Sequence, residues 1–342
     1  MVNLNNKSVV FLESPKEYPI PGVHLKVESK MLDDELNEGE LLTRNLYISL
    51  DPYLKTKMGG VGHPSIYKVG QALDSYVVSE VIASKNDKFP VGAVVFGNLG
   101  IEEYTRVRTS NDLKIIEDAR ESKVPLSSYV GALNLAGRTA YCSLIDIGKP
   151  KAGETIYVSA AFGGVGQIVG QISKILGLRV IGSAGSDEKV DYLVKTLKFD
   201  AAFNYKKGNI VESLRSAAPE GINIYYDNVG GETLEAALEV LNRFGRVVLC
   251  GMSSIYNRTT PYGIKNIILA ILKSLKLEGF VANQFSDELE ERFFKDVKSW
   301  LENGDIIYKE DITEGLENTP EAILGMFQGK TFGKAVVKVA DL

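Results

Sequence analysis

Histidine and cysteine are almost missing from this chain, with two of each among 342 residues. A tetrahedral zinc site takes several Cys or His ligands. Cys142 and Cys250 form no Cys-x-x-Cys pair, so no metal is expected. The two cysteines also lie too far apart to suggest a disulfide framework, which points to a reduced compartment. His24, after Pro21-Gly22-Val23, reads as a surface residue; His63, before Pro64 in a Gly-rich loop, is either a surface residue or one bordering a cleft. There is no surplus of positive charge. The net charge of −5 argues against nucleic acid or an anionic membrane as a main partner. No apolar run approaches the ~20 residues of a membrane span. The start, Met-Val-Asn-Leu-Asn-Asn-Lys, lacks a signal-peptide pattern, and the end, Val-Ala-Asp-Leu, is not a peroxisomal address. A cytoplasmic location is the expectation. Neither a Gly-x-Ser-x-Gly elbow nor a Walker-type phosphate loop is present, which argues against a serine hydrolase and a P-loop NTPase.

What the chain does have is 44% hydrophobic residues and the length for about two domains. Its organising stretch runs from Ile156 to Gly177. Ile156, Tyr157 and Val158 read as a buried parallel strand. Ala160, Gly163 and Gly166 follow at the spacing Ala-x-x-Gly-x-x-Gly. Ile168, Val169, Ile172, Ile175 and Leu176 then recur at helical spacing, and a second strand over 179–182 comes next. Strand, glycine turn, helix and strand form a dinucleotide-binding unit. A side chain at Gly163 would keep a pyrophosphate away, and one at Gly166 would push the helix off the sheet. The N–H groups of Gly164 and Val165, with the positive helix end, face the anion.

The chain changes texture around this unit. Residues 1–125 carry short alternating runs broken by Gly, Pro and Asn, with strands expected at 9–12, 40–48, 74–83 and 93–96 and a loop from Gly59 to about Tyr67. This reads as a β-rich, barrel-like domain. Residues 126–304 alternate strands and helices: strands at 201–205, 222–229, 245–252 and 277–282, helices at 231–244 and 285–301. That pattern predicts an α/β domain with a doubly wound parallel sheet. The tail, 305–342, returns to strand texture and is expected to rejoin the first domain, with the active site in the cleft between domains.

Cofactor choice is argued from charge. An NAD-type fold places an acid at the tip of the second strand to hold the adenosine ribose. Here the strand runs Val180-Ile181-Gly182-Ser183-Ala184-Gly185 without one. Asp187 and Glu188 come later, in the first turn of the next helix, where acids suit the helix dipole. Lys189 is near enough to meet a 2′-phosphate, so NADPH/NADP+ is expected.

Several longer motifs converge on one family. They are Leu50-Asp51-Pro52-Tyr53-Leu54-Lys55, Val158 to Gly166, Gly185-Ser186-Asp187-Glu188-Lys189 and Phe199-Asp200-Ala201-Ala202-Phe203-Asn204-Tyr205. Tyr226-Asp227-Asn228-Val229-Gly230-Gly231-Glu232, Cys250-Gly251-Met252-Ser253-Ser254-Ile255-Tyr256-Asn257 and Glu278-Gly279-Phe280-Val281 continue the series. Over nearly its whole length the chain resembles the medium-chain dehydrogenase/reductases. More narrowly it resembles the zinc-independent leukotriene B4 12-hydroxydehydrogenase, prostaglandin reductase and alkenal double-bond reductase group. The resemblance implies a Rossmann-type nucleotide domain plus a β-rich GroES-like catalytic domain. It implies that Lys189 and Tyr205 flank the 2′-phosphate, with Gly185 beside them. It places Thr139, Asn228, Cys250, Gly251, Tyr256, Phe280, Val281 and Thr331 along the rest of the cofactor. Cys250, flanked by Val247-Val248-Leu249, reads as an inert buried thiol.

The expected reaction is NADPH-dependent reduction of the C=C bond of an α,β-unsaturated aldehyde or ketone. Tyr256 would stabilise the enolate oxygen, and Tyr53 would close the cleft from the first domain. The enzyme alternatives are a quinone or carbonyl reductase or a secondary alcohol dehydrogenase; the non-enzyme alternative is an NADP-binding redox sensor. A homodimer through the edge of the sixth strand, 277–282, is implied. The chain departs from the family pattern at Asn134, Ala136 and Arg138, near the expected nicotinamide site, at Ile101, and at Thr331, where the family has Asn.

Overall fold

The computed structural model describes residues 4–33, 35–59, 65–109, 112–260 and 262–342. Gly60 to Gly62 and His63, with Pro261 of the Tyr256 loop, lie outside the described residues. The chain divides into two units, 1–131 with 310–342, and 132–309.

In the first unit, alternation of apolar and polar residues builds strands. They are β1 (Leu4–Phe11), β2 (Leu25–Leu32), β3 (Leu41–Ser49), β4 (Asp74–Ser84), β5 (Val94–Gly100), β6 (Tyr104–Val107) and β7 (Lys114–Ile115). The short helix α1 (Tyr53–Lys57) follows β3. β1 and β2 form an antiparallel pair. The sequence reading passes over β2, half of which is polar (Lys26, Glu28, Ser29 and Lys30) and which buries only Leu25. The charged residues pair along the strand, Lys26 to Glu28 at 2.7 Å and Lys30 to Glu28 at 3.2 Å. Val9, Phe11, Leu25, Leu41, Ile48 and Val77 meet in one buried core.

In the second unit, α2 (Leu135–Ser143) leads into a six-stranded parallel sheet. Its strands are β8 (Thr155–Val158), β9 (Arg179–Ala184), β10 (Ala201–Asn204), β11 (Ile222–Asp227), β12 (Leu241–Leu249) and β13 (Lys276–Gly279), in the order β10-β9-β8-β11-β12-β13. The connecting helices are α3 (Gly166–Ile175), α4 (Asp187–Lys195), α5 (Ile210–Ala217), α6 (Gly231–Val240), α7 (Ile268–Leu272) and α8 (Asp287–Asn303). The strand order reverses between β8 and β11, which makes their carboxyl ends the switch point where such sheets take ligands.

The helix expected over 231–244 ends at Val240, and the fifth strand starts at Leu241 and ends at Leu249. Leu234, Leu238 and Leu241 fit a helical period, but Leu241 turns extended (φ −58°, ψ 134°) and pairs with Ile222. It is buried from a strand instead. On α3, Ile168, Val169 and Ile172 are buried as expected. Ile175 is exposed, while Gln167 and Gln171 are buried. Their amides bond the backbone of Ile307 and Lys309, so polar residues face inward to satisfy an irregular segment.

The tail adds β14 (Glu310–Glu314), α9 (Thr319–Phe327) and β15 (Lys334–Lys338) to the first unit. β15 lies antiparallel to β3 and parallel to β14, so the larger sheet runs β14-β15-β3-β4-β5-β7 with β6 on β3. Buried Lys334 donates to the Leu50 carbonyl and to Asp51 Oδ1 at 3.0 Å, and Ser49 Oγ donates to Asp51 Oδ2 at 2.5 Å. A buried ion pair needs such extra bonds to offset desolvation. Here they pin the turn that delivers Tyr53.

Candidate active site

The glycine turn leaves β8 at the switch point. Ala160 sits at φ +45°, and Gly163 N–H closes back on the Ala160 carbonyl at 3.0 Å. A Cβ on Gly166 would lie 2.5 Å from the Ala160 carbonyl oxygen and 2.7 Å from Ala161 Cα. Only glycine lets the start of α3 pack on the turn this closely. Gly164 and Val165 stand at the positive end of α3, a setting suited to a pyrophosphate.

Asp227 locks the other side of the switch point. Its Oδ1 accepts from Tyr225 Oη at 2.7 Å, Val229 N–H at 2.9 Å and Gly230 N–H at 2.7 Å. Its carbonyl accepts the N–H groups of Cys250 and Gly251 at 2.9 and 3.0 Å. Asn228 is held in turn by Ser159: its N–H donates to Ser159 Oγ at 3.0 Å, and its side-chain amide to the Ser159 carbonyl at 2.7 Å. One buried network therefore ties the glycine turn to the loops after β11 and β12. The sequence reading gave Asp227 and Ser159 no role. The available signal was an acid ending an apolar strand at the switch point.

Tyr256 rises from the loop after β12 and folds back over its end. Its hydroxyl accepts from Met252 N–H at 3.3 Å. It would stand 3.1 Å from a Cβ on Gly251, beside the Asn228 carbonyl. Tyr256, Gly251 and Asn228 are thus brought together at the carboxyl edge. Burial pushes the Tyr256 phenol above its ordinary range, so it stays protonated and able to donate.

A second cluster forms at the tip of β9. Ser186 Oγ accepts the Lys189 N–H and caps α4. Tyr205 N–H bonds the Ala184 carbonyl at 3.1 Å, and its hydroxyl would lie 3.3 Å from a Cβ on Gly185. Asp187 is engaged by Lys207 and by Asn204 Nδ2 at 2.9 Å. Lys207 and Asn204 hold its carboxyl below the usual range.

The remaining expected residues are spread more widely. The Thr139 carbonyl accepts from Ser143 Oγ at 2.7 Å and Tyr226 Oη at 3.3 Å, behind β11. Phe280 packs on Phe285 at 5.5 Å between ring centroids. Val281 N–H is taken by Gln284 Oε1 at 3.1 Å. Arg138 pairs with Glu290 of α8 at 3.3 Å. Burial pushes the thiols of Cys142 and Cys250 up to about 12. Tyr53 and Thr331 belong to the first unit. The Tyr53 hydroxyl lies 3.3 Å from Ser75 Oγ, and Lys57 Nζ sits 5.5 Å from its ring centroid and 5.3 Å from that of Tyr67. Among the described residues no three His, Cys, Asp or Glu side chains come together as a metal ligand set. None of the described helices is long and apolar enough to cross a membrane.

Comparison with known proteins gives a consistent picture. Residues 8–116 match the family described as the N-terminal domain of oxidoreductase, and residues 164–299 match the family described as zinc-binding dehydrogenase. The chain is 42% identical to (+)-pulegone reductase of Mentha piperita, with 88% of each chain covered. It is 37% identical to the NADP(+)-dependent 2-alkenal reductase of Nicotiana tabacum, with 98% of each covered. Among solved structures it resembles CurA of Vibrio vulnificus in complex with NADPH. That match has a TM-score of 0.88 and 34% identity, covering 98% of this chain and 100% of that one.

Proposed function

This chain belongs to the zinc-independent branch of the medium-chain dehydrogenase/reductases, a family of NADP-dependent oxidoreductases, and from that premise we propose that it reduces the C=C bond of α,β-unsaturated aldehydes and ketones with NADPH. The observation that carries this reading is the protonated Tyr256 hydroxyl at the carboxyl edge of the sheet, beside Gly251 and Asn228. When bound, NADPH would supply a hydride for the substrate's β-carbon. Negative charge then grows on the carbonyl oxygen, and Tyr256 donates a hydrogen bond to it. The α-proton comes from Tyr256 or from solvent. The glycine turn and the N-terminus of α3 hold the pyrophosphate, and Lys189 and Tyr205 hold the 2′-phosphate. Tyr53, carried by the first unit, is assigned as the second catalytic tyrosine. NADPH oxidation measured against a panel of enals, enones, quinones and simple ketones tests the reading. Turnover confined to quinones or simple ketones would overturn it.

Three expectations accompany this function. Lys189→Ala should weaken NADPH by about one to two decades with little change for NADH, since a charge-assisted bond is worth roughly 1.5–3 kcal/mol. Equal losses for both cofactors in a fluorescence titration would remove Lys189 from the 2′-phosphate site. Among the described residues no ligand set fits zinc, despite the description of the family matched by 164–299. Activity should therefore survive exhaustive chelation; one zinc per chain by elemental analysis, with activity lost on its removal, would contradict this. Finally, β13 ends the parallel sheet, and an open strand edge is usually covered or paired. We assign it to a homodimer. Light scattering at micromolar concentration should give twice the 37.4 kDa chain mass; a monomer mass would refute the assignment.

A further inference from the structure

We propose that Lys206 is a second 2′-phosphate ligand and a determinant of NADPH selectivity, acting from the loop after β10 beside Lys189 and Tyr205. The inference rests on the NADPH reading and extends it to a residue that reading does not use.

β9 ends without an acid, and Gly185 leaves the space above the tip empty of side chain. Two neighbouring residues converge on that space from the turn after β10. Tyr205 Oη would lie 3.3 Å from a Cβ on Gly185, and Lys206 Cε would lie 3.4 Å from the same point. The Lys206 ammonium is 6.0 Å from the centroid of the Tyr205 ring, so the two side chains lie alongside one another at the tip. A phosphate there would meet a neutral donor and a cation together, the combination that favours a phosphate monoester.

Charge bookkeeping separates Lys206 from its neighbour. The nearby acid, Asp187, is engaged by Lys207 and by Asn204 Nδ2. Asn204 directs the arrangement: its Oδ1 accepts the Lys206 N–H at 3.1 Å while its amide holds Asp187. Of two consecutive lysines, one neutralises the acid and the other lies over the strand tip. With its charge satisfied locally, Asp187 no longer opposes an anion at Gly185. An acid in a position to repel phosphate is thereby made compatible with binding it.

The test uses the full chain and two cofactor fragments, 2′,5′-ADP and 5′-AMP, with affinities from titration calorimetry. Wild-type protein should bind 2′,5′-ADP at least about tenfold tighter than 5′-AMP. Lys206→Ala should lose part of that margin, weakening 2′,5′-ADP by about five- to tenfold and leaving 5′-AMP within about twofold, as fits a single exposed charge–phosphate contact. Lys206→Arg should restore binding. Lys195→Ala removes an equal charge from a lysine paired with Asp191 on the same unit, and should change neither affinity. If Lys206→Ala keeps wild-type 2′,5′-ADP affinity while Lys189→Ala loses it, Lys206 is a solvated surface lysine and the proposal fails alone. If wild-type protein does not distinguish the two fragments, the NADPH reading fails and takes the proposal with it.

Discussion

Tyr256→Phe is expected to lower kcat by about ten- to a thousandfold while the Kd for NADPH stays within about threefold. The substitution keeps the ring and removes only the hydroxyl. What is lost in the fold is one 3.3 Å bond from Met252 N–H, a group on an exposed residue that water can satisfy. What is lost in the site is the donor facing the developing oxyanion. The size of the fall depends on how much of that charge other donors share. The pH profile carries a second signature. Burial raises the Tyr256 phenol above the ordinary ~10, so wild-type activity should not fall as pH climbs toward that value through ionisation of this group. A variant with wild-type kcat would remove Tyr256 from the mechanism.

Gly166→Ala should damage the nucleotide-binding unit severely, because the added methyl meets backbone at the glycine turn itself. Helix propensity alone favours it, by about 1 kcal/mol. Against that stands a Cβ placed 2.5 Å from the Ala160 carbonyl oxygen and 2.7 Å from Ala161 Cα. Both are backbone atoms and cannot swing aside as a flexible side chain can. Overpacking of this kind costs about 1–3 kcal/mol, so the clash outweighs the propensity gain. Relief requires either α3 to move off the sheet or the turn to open, and both displace the N–H groups that face the pyrophosphate. NADPH affinity should fall by about a hundredfold, with a lower Tm. Unchanged affinity and Tm would show that the turn does not hold the cofactor as assigned.

Sequence pattern made the nucleotide-binding unit legible because its signals are local. A strand, a glycine turn and a helix lie within about twenty residues, and Gly166 announces the close contact that the structure contains. The helix start at Asp187 and the missing acid at the tip of β9 were readable for the same reason. Features that depend on distant partners were not. Gln167 and Gln171 face inward only because the segment at Ile307 and Lys309 needs its backbone groups satisfied. Strand β2 escaped notice because half of it is polar and it buries only Leu25. The helix break after Val240 was masked by leucines at helical spacing, one of which is buried from a strand. At the site, Asp227 gains its role from three donors and two loops that only the fold brings together. Lys206 is one of 39 basic residues until Asn204 and Asp187 show which of two neighbours is engaged.

The central claim is hydride addition to carbon–carbon rather than carbon–oxygen bonds, and product analysis tests it directly. The protein is incubated with a simple enal and NADPH deuterated at the transferable C4 position, and the product is identified by mass spectrometry and NMR. The account predicts the saturated aldehyde carrying deuterium at the β-carbon. An allylic alcohol carrying deuterium at the carbinol carbon would contradict it and identify a carbonyl reductase.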